Sequence, residues 1–304
     1  MHEEPLITIG ITSFNSEETI IRAIESALHQ TWINKEIILV DDGSIDDSCE
    51  IINREISGHL NCRLIEHEHN KGFPSALNTL IKESSGKFIA FFDDDDFSDP
   101  ERLTKQFQRI NEYELKQSTQ FILCYSRRVV DKNGKVSLAT AAIGQEKIEP
   151  FGPMVADFLL LHIEKYGYSW GQFGSCTMMA RVETLKKMDC FDPAFRRSAE
   201  WDLAIRASLD GCHFIAEAEP LITQYITDTE DKAGKVPLQY ALLLRRKHRE
   251  YLKGQGVYLA SIAIAYARFY YAKNKTWRSR LAMGAACFLS PTIILKNMLM
   301  RKFK

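Results

Sequence analysis

Four consecutive aspartates, Asp93 to Asp96, are the residues of this 304-residue chain with the clearest capacity for chemistry. They follow the apolar run Lys87–Phe92, which predicts a buried strand. Adjacent carboxylates repel one another, and a hard divalent cation such as Mg²⁺ or Mn²⁺ prefers oxygen ligands that it shares with water and substrate phosphates. Because alternate residues of an extended segment point to the same side, Asp93 and Asp95 are expected to lie together, which favours a cation site.

The acidic run has a second interpretation on the residues alone. It could be a solvated turn in front of a helix that begins at Pro100, with Asp99 as the N-cap. An EF-hand calcium loop is excluded because, counting from Asp93, Phe97 and Ser98 stand where that loop needs Asp or Asn and then Gly. The cation site is the preferred interpretation.

Polar residues also follow the first two apolar runs, Leu6–Thr12 and Glu36–Asp41. Thr12 begins a Thr-Ser-Phe-Asn segment, and Asp41 begins an Asp-Asp-Gly-Ser segment. The carboxylate of Asp42 could accept the imide N–H of a uracil or thymine ring, although Asp-Gly and Ser are also ordinary turn residues. The segment therefore predicts either a base contact or a simple turn.

Apolar runs alternate with helix-like segments over the first 130 residues, which indicates an α/β fold with a doubly wound, mostly parallel sheet and helices on both faces. Ligands bind beyond the carboxyl ends of the strands in such sheets, so the three polar strand ends are expected to face one crevice. The predicted strands are Leu6–Thr12, Glu36–Asp41, Cys62–His67 and Lys87–Phe92, and the predicted helices run from Asn15 or Ser16 to about His29 and over about Asp46–Glu55, Pro74–Glu83 and Pro100–Leu115.

The pattern is less regular past residue 130. Two histidines near the third strand, His67 and His69, are expected at the polar surface. The further predicted elements are helices at Val155–Lys165, Val182–Met188 and Glu200–Leu209, a strand at Gly174–Ala180, and helices from Pro237 onward.

The order of these motifs resembles that of glycosyltransferase family 2, whose members are inverting enzymes with the Rossmann-like GT-A fold. The resemblance covers about residues 5–225, and its most specific part is the DxD-type aspartate run behind a strand. It rests on Thr12-Ser13-Phe14-Asn15, Val40-Asp41-Asp42-Gly43-Ser44, Asn70-Lys71-Gly72, Asn78, Phe92-Asp93-Asp94-Asp95-Asp96 and Pro100-Glu101-Arg102-Leu103.

The resemblance implies a donor site at the three strand ends. Thr12 and Phe14 would contact the nucleotide base, Phe14 by stacking, and Asp42 would accept the base N–H. Asp95 would be the direct ligand of Mg²⁺ or Mn²⁺, with Asp93 as its partner in the DxD pair. The other residues that the resemblance assigns to the donor site are Asn15, Asp41, Asn70, Gly72, Asn78 and Asp94.

A later segment, Ser198–Arg206, is similar to the family's Glu-Asp-x-Asp-Leu-x-x-Arg segment, which supplies the catalytic base. Glu200 stands at the position of the base and is preferred, while Asp202 is the alternative. The chain departs from the family at Ala199, directly before the base, and at Leu77, where many relatives have an arginine that reaches toward the nucleotide.

The resemblance implies an inverting, metal-dependent hexosyltransferase that moves a hexose or N-acetylhexosamine from a nucleotide sugar, with UDP favoured, to a hydroxyl of a glycan or lipid-linked glycan in cell-surface polysaccharide synthesis. Trp201 and Trp170 are candidate acceptor contacts, although tryptophan is often only packing. A non-catalytic nucleotide-sugar-binding or scaffold protein is one alternative. A sugar-nucleotide nucleotidyltransferase is another, but it would need a glycine-rich, basic loop after the first strand.

The charges are divided unevenly along the chain, whose formal net charge is −1. Residues 251–304 contain ten Lys or Arg and no acidic residue, which leaves 29 of the 39 basic residues against all 40 acidic ones in the rest. The resemblance implies a GT-A glycosyltransferase domain over 1–230, with a nucleotide-sugar half to about 130 and an acceptor half from about 131. The charge pattern predicts a basic helical extension over 231–304. Nucleic-acid binding is disfavoured because the acidic body would repel phosphate.

Two apolar stretches of the extension, Val257–Ala272 and Leu281–Leu295, are shorter than the roughly 20 apolar residues that span a bilayer. With the interleaved basic and aromatic residues they favour helices on an anionic membrane surface, the alternative being a helical subdomain or oligomer interface. Seven scattered cysteines without a CxxC pair fit a reducing cytosol. The start of the chain lacks signal-peptide character, so the expected location is cytoplasmic, peripheral on the inner face of the cell membrane.

Overall fold

The computed structural model describes residues 4–146, 148–226 and 236–291. The strands are β1 (Ile7–Ser13), β2 (Lys35–Asp41), β3 (Cys62–Glu66), β4 (Phe88–Asp93), β5 (Phe97–Ser98), β6 (Ile122–Lys132), β7 (Lys135–Leu138), β8 (Met179–Arg181) and β9 (His213–Tyr225). The helices are α1 (Ile20–Leu28), α2 (Ser48–Ile56), α3 (Phe73–Glu83), α4 (Arg102–Gln117), α5 (Pro153–Leu161), α6 (Val182–Lys187), α7 (Ala199–Leu209), α8 (Val236–Lys247), α9 (Arg249–Gly254), α10 (Tyr258–Ala272) and α11 (Thr276–Leu289), and a 3₁₀ turn spans Ser175–Thr177.

The strands form one sheet in the order β3-β2-β1-β4-β8-β6-β9-β5, with β7 paired to β6. Strands β3, β2, β1 and β4 are parallel to one another, and β8 runs antiparallel to both β4 and β6. The register pairs Ser13 with Asp41 and Thr12 with Asp93. The carboxyl ends of β1, β2 and β4 therefore meet at one edge of the sheet, as the sequence predicts.

Helices cover both faces of the sheet because its central strands are apolar on both sides. In β2, Ile37 and Leu39 join a core cluster with α1 and α4, whereas Ile38 and Val40 join the cluster on the other face with α3, α5 and α7. Continuous apolar strands of this kind are typical of doubly wound sheets. The architecture is the predicted doubly wound α/β fold.

The C-terminal helices pack against the sheet domain. Leu244 of α8, Leu252 of α9 and Ile264 of α10 belong to the same buried cluster as α5 and α7. The phenol of Tyr251 donates to the carboxylate of Asp157 in α5 at 2.7 Å. None of the helices within the described residues combines the length and the apolar character needed to cross a bilayer. The domain boundary near residue 230 stays a prediction, and part of the stretch Leu281–Leu295 lies outside the described residues.

Some predicted boundaries differ from the structure. Helix α1 begins at Ile20 instead of near Ser16, because Asn15 and Ser16 use their side chains in loop contacts that compete with a helical start. Asp99 accepts a hydrogen bond from the Glu101 N–H at 2.9 Å, but it precedes the N-cap of α4, which is Glu101. Within the predicted strand Gly174–Ala180, Ser175–Thr177 form the 3₁₀ turn and only Met179 and Ala180 belong to β8.

Candidate active site

A cleft of about 720 Å³ opens at the carboxyl ends of β1, β2 and β4. Eight of the residues predicted for the donor and the metal line it, together with four that were not predicted. The lining residues are Thr12, Ser13, Phe14, Asp42, Asn70, Gly72, Phe73, Ala76, Asp93, Asp94, Asp95 and Arg196. The three strand ends thus face one crevice, as the parallel sheet requires.

Asp42 is held by the loop that follows β3. Its Oδ1 accepts from the Nδ1–H of His67 at 2.7 Å and from the Lys71 N–H at 2.9 Å, and its Oδ2 accepts from the Gly72 N–H at 2.7 Å. His67 is buried, contrary to the expectation of a surface position, and its other ring nitrogen contacts Thr79 Oγ1. A carboxylate has about four acceptor positions, so Oδ2 retains one that can accept a ligand N–H.

Asp41 and Asn15 shape the loops around the cleft without lining it. Asp41 Oδ1 accepts from the Gly43 and Ser44 N–H groups at 3.0 and 2.8 Å. Asn15 Oδ1 accepts from the Ile45 N–H at 3.0 Å, and its own N–H donates to Ser44 Oγ at 2.8 Å. The Asn15 bonds fasten the loop after β1 to the loop after β2, and the Asp41 bonds shape the second of these loops. Both residues therefore have structural roles, and the donor contacts expected of them stay predictions.

Asn78 also has a structural role, and the donor contact expected of it stays a prediction. Its amide donates to the Phe191 carbonyl at 2.7 Å and accepts from the Phe191 N–H at 2.8 Å. This pair of bonds uses both ends of the amide and ties α3 to the loop before α7. Asn78 therefore holds that loop in place and does not line the cleft.

The aspartate run concentrates negative charge. Burial, followed by the charges of the neighbouring aspartates and of Glu200, raises the pKa of Asp93 well above its usual range. Burial and the Asp95 charge raise the pKa of Asp94 to about 6 and that of Asp96 to about 7. Asp94 also accepts from the Phe14 N–H at 3.2 Å, which holds the Phe14 backbone beside the cleft.

The charge of this cluster fits a hard divalent cation. Within the described residues, Asp96 Oδ2 is buried and has no hydrogen-bond partner. The ligand atoms of Asp93, Asp96 and Cys176 lie within 4.8 Å of one another, a grouping that differs from the predicted Asp93–Asp95 pair. Burial raises the pKa of the Cys176 thiol well above its usual range, so the sulfur stays protonated and is a poor ligand for Mg²⁺ or Mn²⁺. The oxygens of Asp93 and Asp95, which line the cleft, suit such an ion when phosphate oxygens complete its shell.

Glu200 lines a second cleft of about 770 Å³ next to the first. Phe73 and Arg196 line both clefts, so the two spaces adjoin. The hydroxyl of Ser175 donates to Glu200 Oε1 at 3.2 Å and orients the carboxylate. The Glu200 charge is also near enough to contribute to the raised pKa of Asp93.

Asp202 lies in a different environment, although it is only two residues further along α7. Its fully buried carboxylate accepts from Arg206 Nε and Lys247 Nζ, both at 2.8 Å, and from His248 Nε2 at 3.0 Å. Burial alone would raise its pKa, but the hydrogen bonds from His248 and Lys247 and the Arg206 charge outweigh it and lower the pKa to about 2. So weak a base, closed off from the cleft, does not fit the alternative catalytic role predicted for Asp202.

The two tryptophans predicted to contact the acceptor also differ in position: one lines the cleft of Glu200 and the other does not. Trp201 lines the cleft of Glu200 and lies beside Phe173, with ring centroids 5.5 Å apart. Trp170 packs on Phe158 at 4.8 Å, and its indole N–H donates to the Lys165 carbonyl. Only Trp201 is placed to meet an acceptor in this cleft.

The sequence did not predict Arg196, which lies between the two clefts. It is exposed, and its guanidinium makes no ion pair within the described residues. An unpaired arginine beside the carboxylate cluster can hold a phosphate oxygen. The basic pair Arg196-Arg197 shortly before Glu200 was the available signal in the sequence.

Known proteins are similar to this chain in sequence and in fold. The family model for glycosyl transferase family 2 matches residues 8–178. The Escherichia coli UDP-Glc:alpha-D-GlcNAc-diphosphoundecaprenol beta-1,3-glucosyltransferase WfaP is 41% identical over 92 residues, which are 30% of this chain and 36% of that protein. The chondroitin synthase of Pasteurella multocida (strain Pm70) is 25% identical over 218 residues, which are 68% of this chain and 19% of that protein. The chain therefore spans well under half the length of either relative.

A solved structure, S. aureus TarS 1-349 in complex with UDP-GlcNAc, superposes with a TM-score of 0.65 at 16% identity. The superposition covers 93% of this chain and 81% of that one. This likeness confirms the GT-A fold. The family match takes in more than half of the chain and includes the polar ends of β1, β2 and β4. The protein belongs to glycosyltransferase family 2.

Proposed function

We propose that the enzyme transfers a hexose or N-acetylhexosamine from a UDP-sugar to an acceptor hydroxyl with inversion at the anomeric carbon, and that Glu200 is the base. The observation that carries this proposal is the junction of the two clefts at Phe73 and Arg196. A nucleotide sugar in the first cleft would direct its sugar toward the second. An acceptor in the second cleft would then have its hydroxyl beside Glu200.

The donor would bind through its base and its diphosphate. The Phe14 side chain is 46% exposed at the cleft, so its ring is available to stack on uracil. The remaining acceptor position of Asp42 Oδ2 matches the imide N–H. Arg196 would contact the diphosphate, and the TarS structure, which holds UDP-GlcNAc, supports UDP as the nucleotide. Thymine would meet Asp42 in the same way.

The reaction would be a single in-line displacement. Glu200 accepts the hydroxyl proton while the acceptor oxygen forms its bond to the anomeric carbon and the bond to the diphosphate oxygen breaks. General-base assistance of this kind contributes about 10²-fold to 10⁴-fold in rate. A divalent ion held by Asp93 and Asp95 would neutralise the leaving diphosphate when bound. Ser175 keeps the carboxylate of Glu200 oriented toward the cleft.

A panel of nucleotide sugars, assayed for hydrolysis without an acceptor, tests the donor assignment. We expect UDP-sugar hydrolysis that EDTA abolishes and that Mn²⁺ or Mg²⁺ restores. Asp95→Asn should reduce it at least about 10²-fold, because the ion loses a carboxylate ligand. The matched control is Asp189→Asn, an exposed aspartate outside both clefts. Equal activity of both variants with and without EDTA would contradict the proposal.

We further propose that the enzyme acts in polysaccharide synthesis at the inner surface of the membrane. WfaP, by its name, glucosylates a GlcNAc-diphosphoundecaprenol, and the other relative is a chondroitin synthase. Helices α10 and α11 expose Tyr271, Trp277 and Leu281 among the basic residues of the extension. Binding of UDP-sugars without any turnover would instead favour the alternative of a non-catalytic protein.

A further inference from the structure

The histidine that contacts Asp42 is buried and does not line the donor cleft. The side chains of His67 and Asp42 are 5% and 4% exposed, and His67 Nδ1 lies 2.7 Å from Asp42 Oδ1. Within the described residues, no lysine or arginine forms an ion pair with Asp42. A buried carboxylate stays charged only where donors or a cation compensate for the lost water. His67 is therefore the side chain that stabilises the charge of Asp42.

Helix α3 holds the second ring nitrogen of His67. His67 Nε2 lies 2.9 Å from Thr79 Oγ1, which lies 3.1 Å from the carbonyl oxygen of Ser75, one helical turn earlier. The Thr79 hydroxyl can donate to that carbonyl and accept from Nε2–H, or it can donate to Nε2. While Asp42 is ionised, both arrangements assign a proton to Nδ1, and Asp42 accepts it. The contact with Thr79 therefore orients the ring toward Asp42.

The His67 bond determines which oxygen of Asp42 stays open to a ligand. Oδ1 accepts from His67 and from the Lys71 N–H, which fills both of its acceptor positions. Oδ2 accepts from the Gly72 N–H and retains one position. Since Asp42 lines the donor cleft, this position can meet the base of a nucleotide.

The charge of Asp42 decides which base fits that position. Uracil has an N–H group at ring position N3, whereas cytosine has a lone pair there. An ionised carboxylate accepts the N–H and repels the lone pair, but a neutral carboxyl group could donate its O–H to cytosine instead. Without the donor on His67, burial would favour the neutral form of Asp42. A preference for uracil therefore depends on a side chain outside the cleft.

We propose that His67 is a positioning residue that sets the preference of the donor site for uracil over cytosine. Its Nδ1–H keeps Asp42 ionised and occupies Oδ1, so that Oδ2 meets the base as an acceptor. His67 acts through Asp42 and not by contact with the nucleotide. This inference rests on the proposed function for the contact between Asp42 and the base, and it identifies the residue on which that contact depends.

Calorimetry on the full chain with Mg²⁺, with UDP and CDP as probes, tests this proposal. The parent should bind UDP about 10-fold to 100-fold more tightly than CDP, because a hydrogen bond to a charged group contributes a factor of this size. His67→Leu and His67→Met remove the donor, and either should lower this ratio about 10-fold. His67→Asn should retain most of the ratio, since its amide N–H can take the place of Nδ1–H. His69→Leu, at an exposed histidine of the same loop, is the matched control and should leave the ratio unchanged.

A double-mutant cycle locates the effect at Asp42. Asp42→Ala should abolish the preference for UDP, and His67→Leu in that background should change the ratio no further, because both changes act on one carboxylate. A histidine with a merely structural role would weaken both nucleotides by the same factor. An unchanged ratio in His67→Leu and His67→Met, or a further change in the Asp42→Ala background, would overturn the inference and leave the proposed function intact. Equal binding of UDP and CDP by the parent would overturn the proposed base contact as well, so the two failures can be told apart.

Discussion

Two carboxylates of one helical turn show how position decides chemical role. Glu200 and Asp202 are two residues apart, which places them about 200° apart around α7. Glu200 faces the open cleft and has one hydroxyl partner, whereas Asp202 faces inward to two cations and a histidine. A carboxylate that accepts a proton in catalysis must reach the substrate and must not be saturated with cationic donors. Only Glu200 meets both conditions.

Glu200→Gln therefore should lower kcat by about 10²-fold to 10⁴-fold, because the amide cannot accept the hydroxyl proton. The KM for the UDP-sugar and the free energy of unfolding should stay near those of the parent, since the side chain keeps its size and its Ser175 contact. Acceptor-dependent release of UDP measures the rate. Glu183→Gln, an exposed change at the start of α6, is the control and should be silent. A Glu200→Gln enzyme with full kcat would remove this residue from the mechanism.

Gly43, next to Asp42 in the loop after β2, gives a second prediction about a single residue. Gly43 has φ +78°, and a Cβ there would lie 2.6 Å from the His69 carbonyl carbon, whereas Gly58 has φ +86° and nothing within 4 Å. Gly58→Ala should cost about 1–2 kcal/mol of unfolding free energy for the left-handed backbone alone. Gly43→Ala should cost more and weaken UDP binding, because the two loops around Asp42 must separate. Urea titration of both variants gives the comparison, and equal losses would contradict it.

At the scale of elements, Asp202 joins the sheet domain to the C-terminal helices. It lies in α7, and two of its partners are Lys247 and His248 at the junction of α8 and α9. Lys247 also contacts Asp192, in the loop that carries Arg196, at 2.6 Å. This network fixes α8 against the body and so fixes one wall of the acceptor cleft.

Asp202→Asn should lower the free energy of unfolding at pH 7 by about 2 kcal/mol, because the folded-state pKa of about 2 lies below the ordinary value of 3.8. A lowered carboxyl pKa stabilises the fold above the unfolded-state value. That contribution is complete above about pH 5 and is lost as the pH falls toward 2. Denaturant titrations at pH 7 and pH 3 should show the difference between parent and variant shrinking at the lower pH. A constant difference would mean that the charge of Asp202 is not what stabilises the junction.

The elements near the donor cleft could be predicted from sequence because the signals are local. The apolar runs before Thr12, Asp42 and Asp93 predict strands, and parallel strands bring their carboxyl ends together. Contacts between distant segments could not be predicted. Asn78 pairs with Phe191, 113 residues away, and Asp202 pairs with His248, 46 residues away. The partner in each case depends on how helices pack, which no local pattern encodes.

The lining of the cleft that contains Glu200 was harder to predict from the sequence, because it also depends on contacts between distant segments. Arg196 and Phe73 come from different segments and line the same two clefts, and Asn78 joins α3 to the loop before α7. The basic extension could be recognised from composition, but composition did not indicate that α8 and α10 would line the cleft of Glu200. A charge pattern predicts that a segment will meet an anion and does not predict where the segment will pack.

At the scale of the whole molecule, the chain separates an acidic body from a basic C-terminal region. Residues 251–304 hold ten basic and no acidic residues. The described part of this region packs some of its apolar residues against the body. It leaves basic, aromatic and other apolar side chains of α11 exposed, among them Trp277, Leu281 and Phe288. An anionic bilayer would attract the basic C-terminal region and repel the acidic body. The two charges together would orient the enzyme on the membrane surface.

This orientation predicts binding to vesicles that contain anionic phospholipid, and loss of that binding at high salt. Arg278→Gln with Arg280→Gln on α11 should weaken partitioning about 5-fold per residue at low ionic strength, since each basic residue near the surface contributes about 1 kcal/mol. Arg54→Gln with Lys82→Gln, at body residues with side chains 60% and 82% exposed, removes the same net charge. Sedimentation with vesicles should show a large loss for the first pair and little for the second. Equal losses would mean that net charge, and not the basic C-terminal face, controls the contact with the membrane.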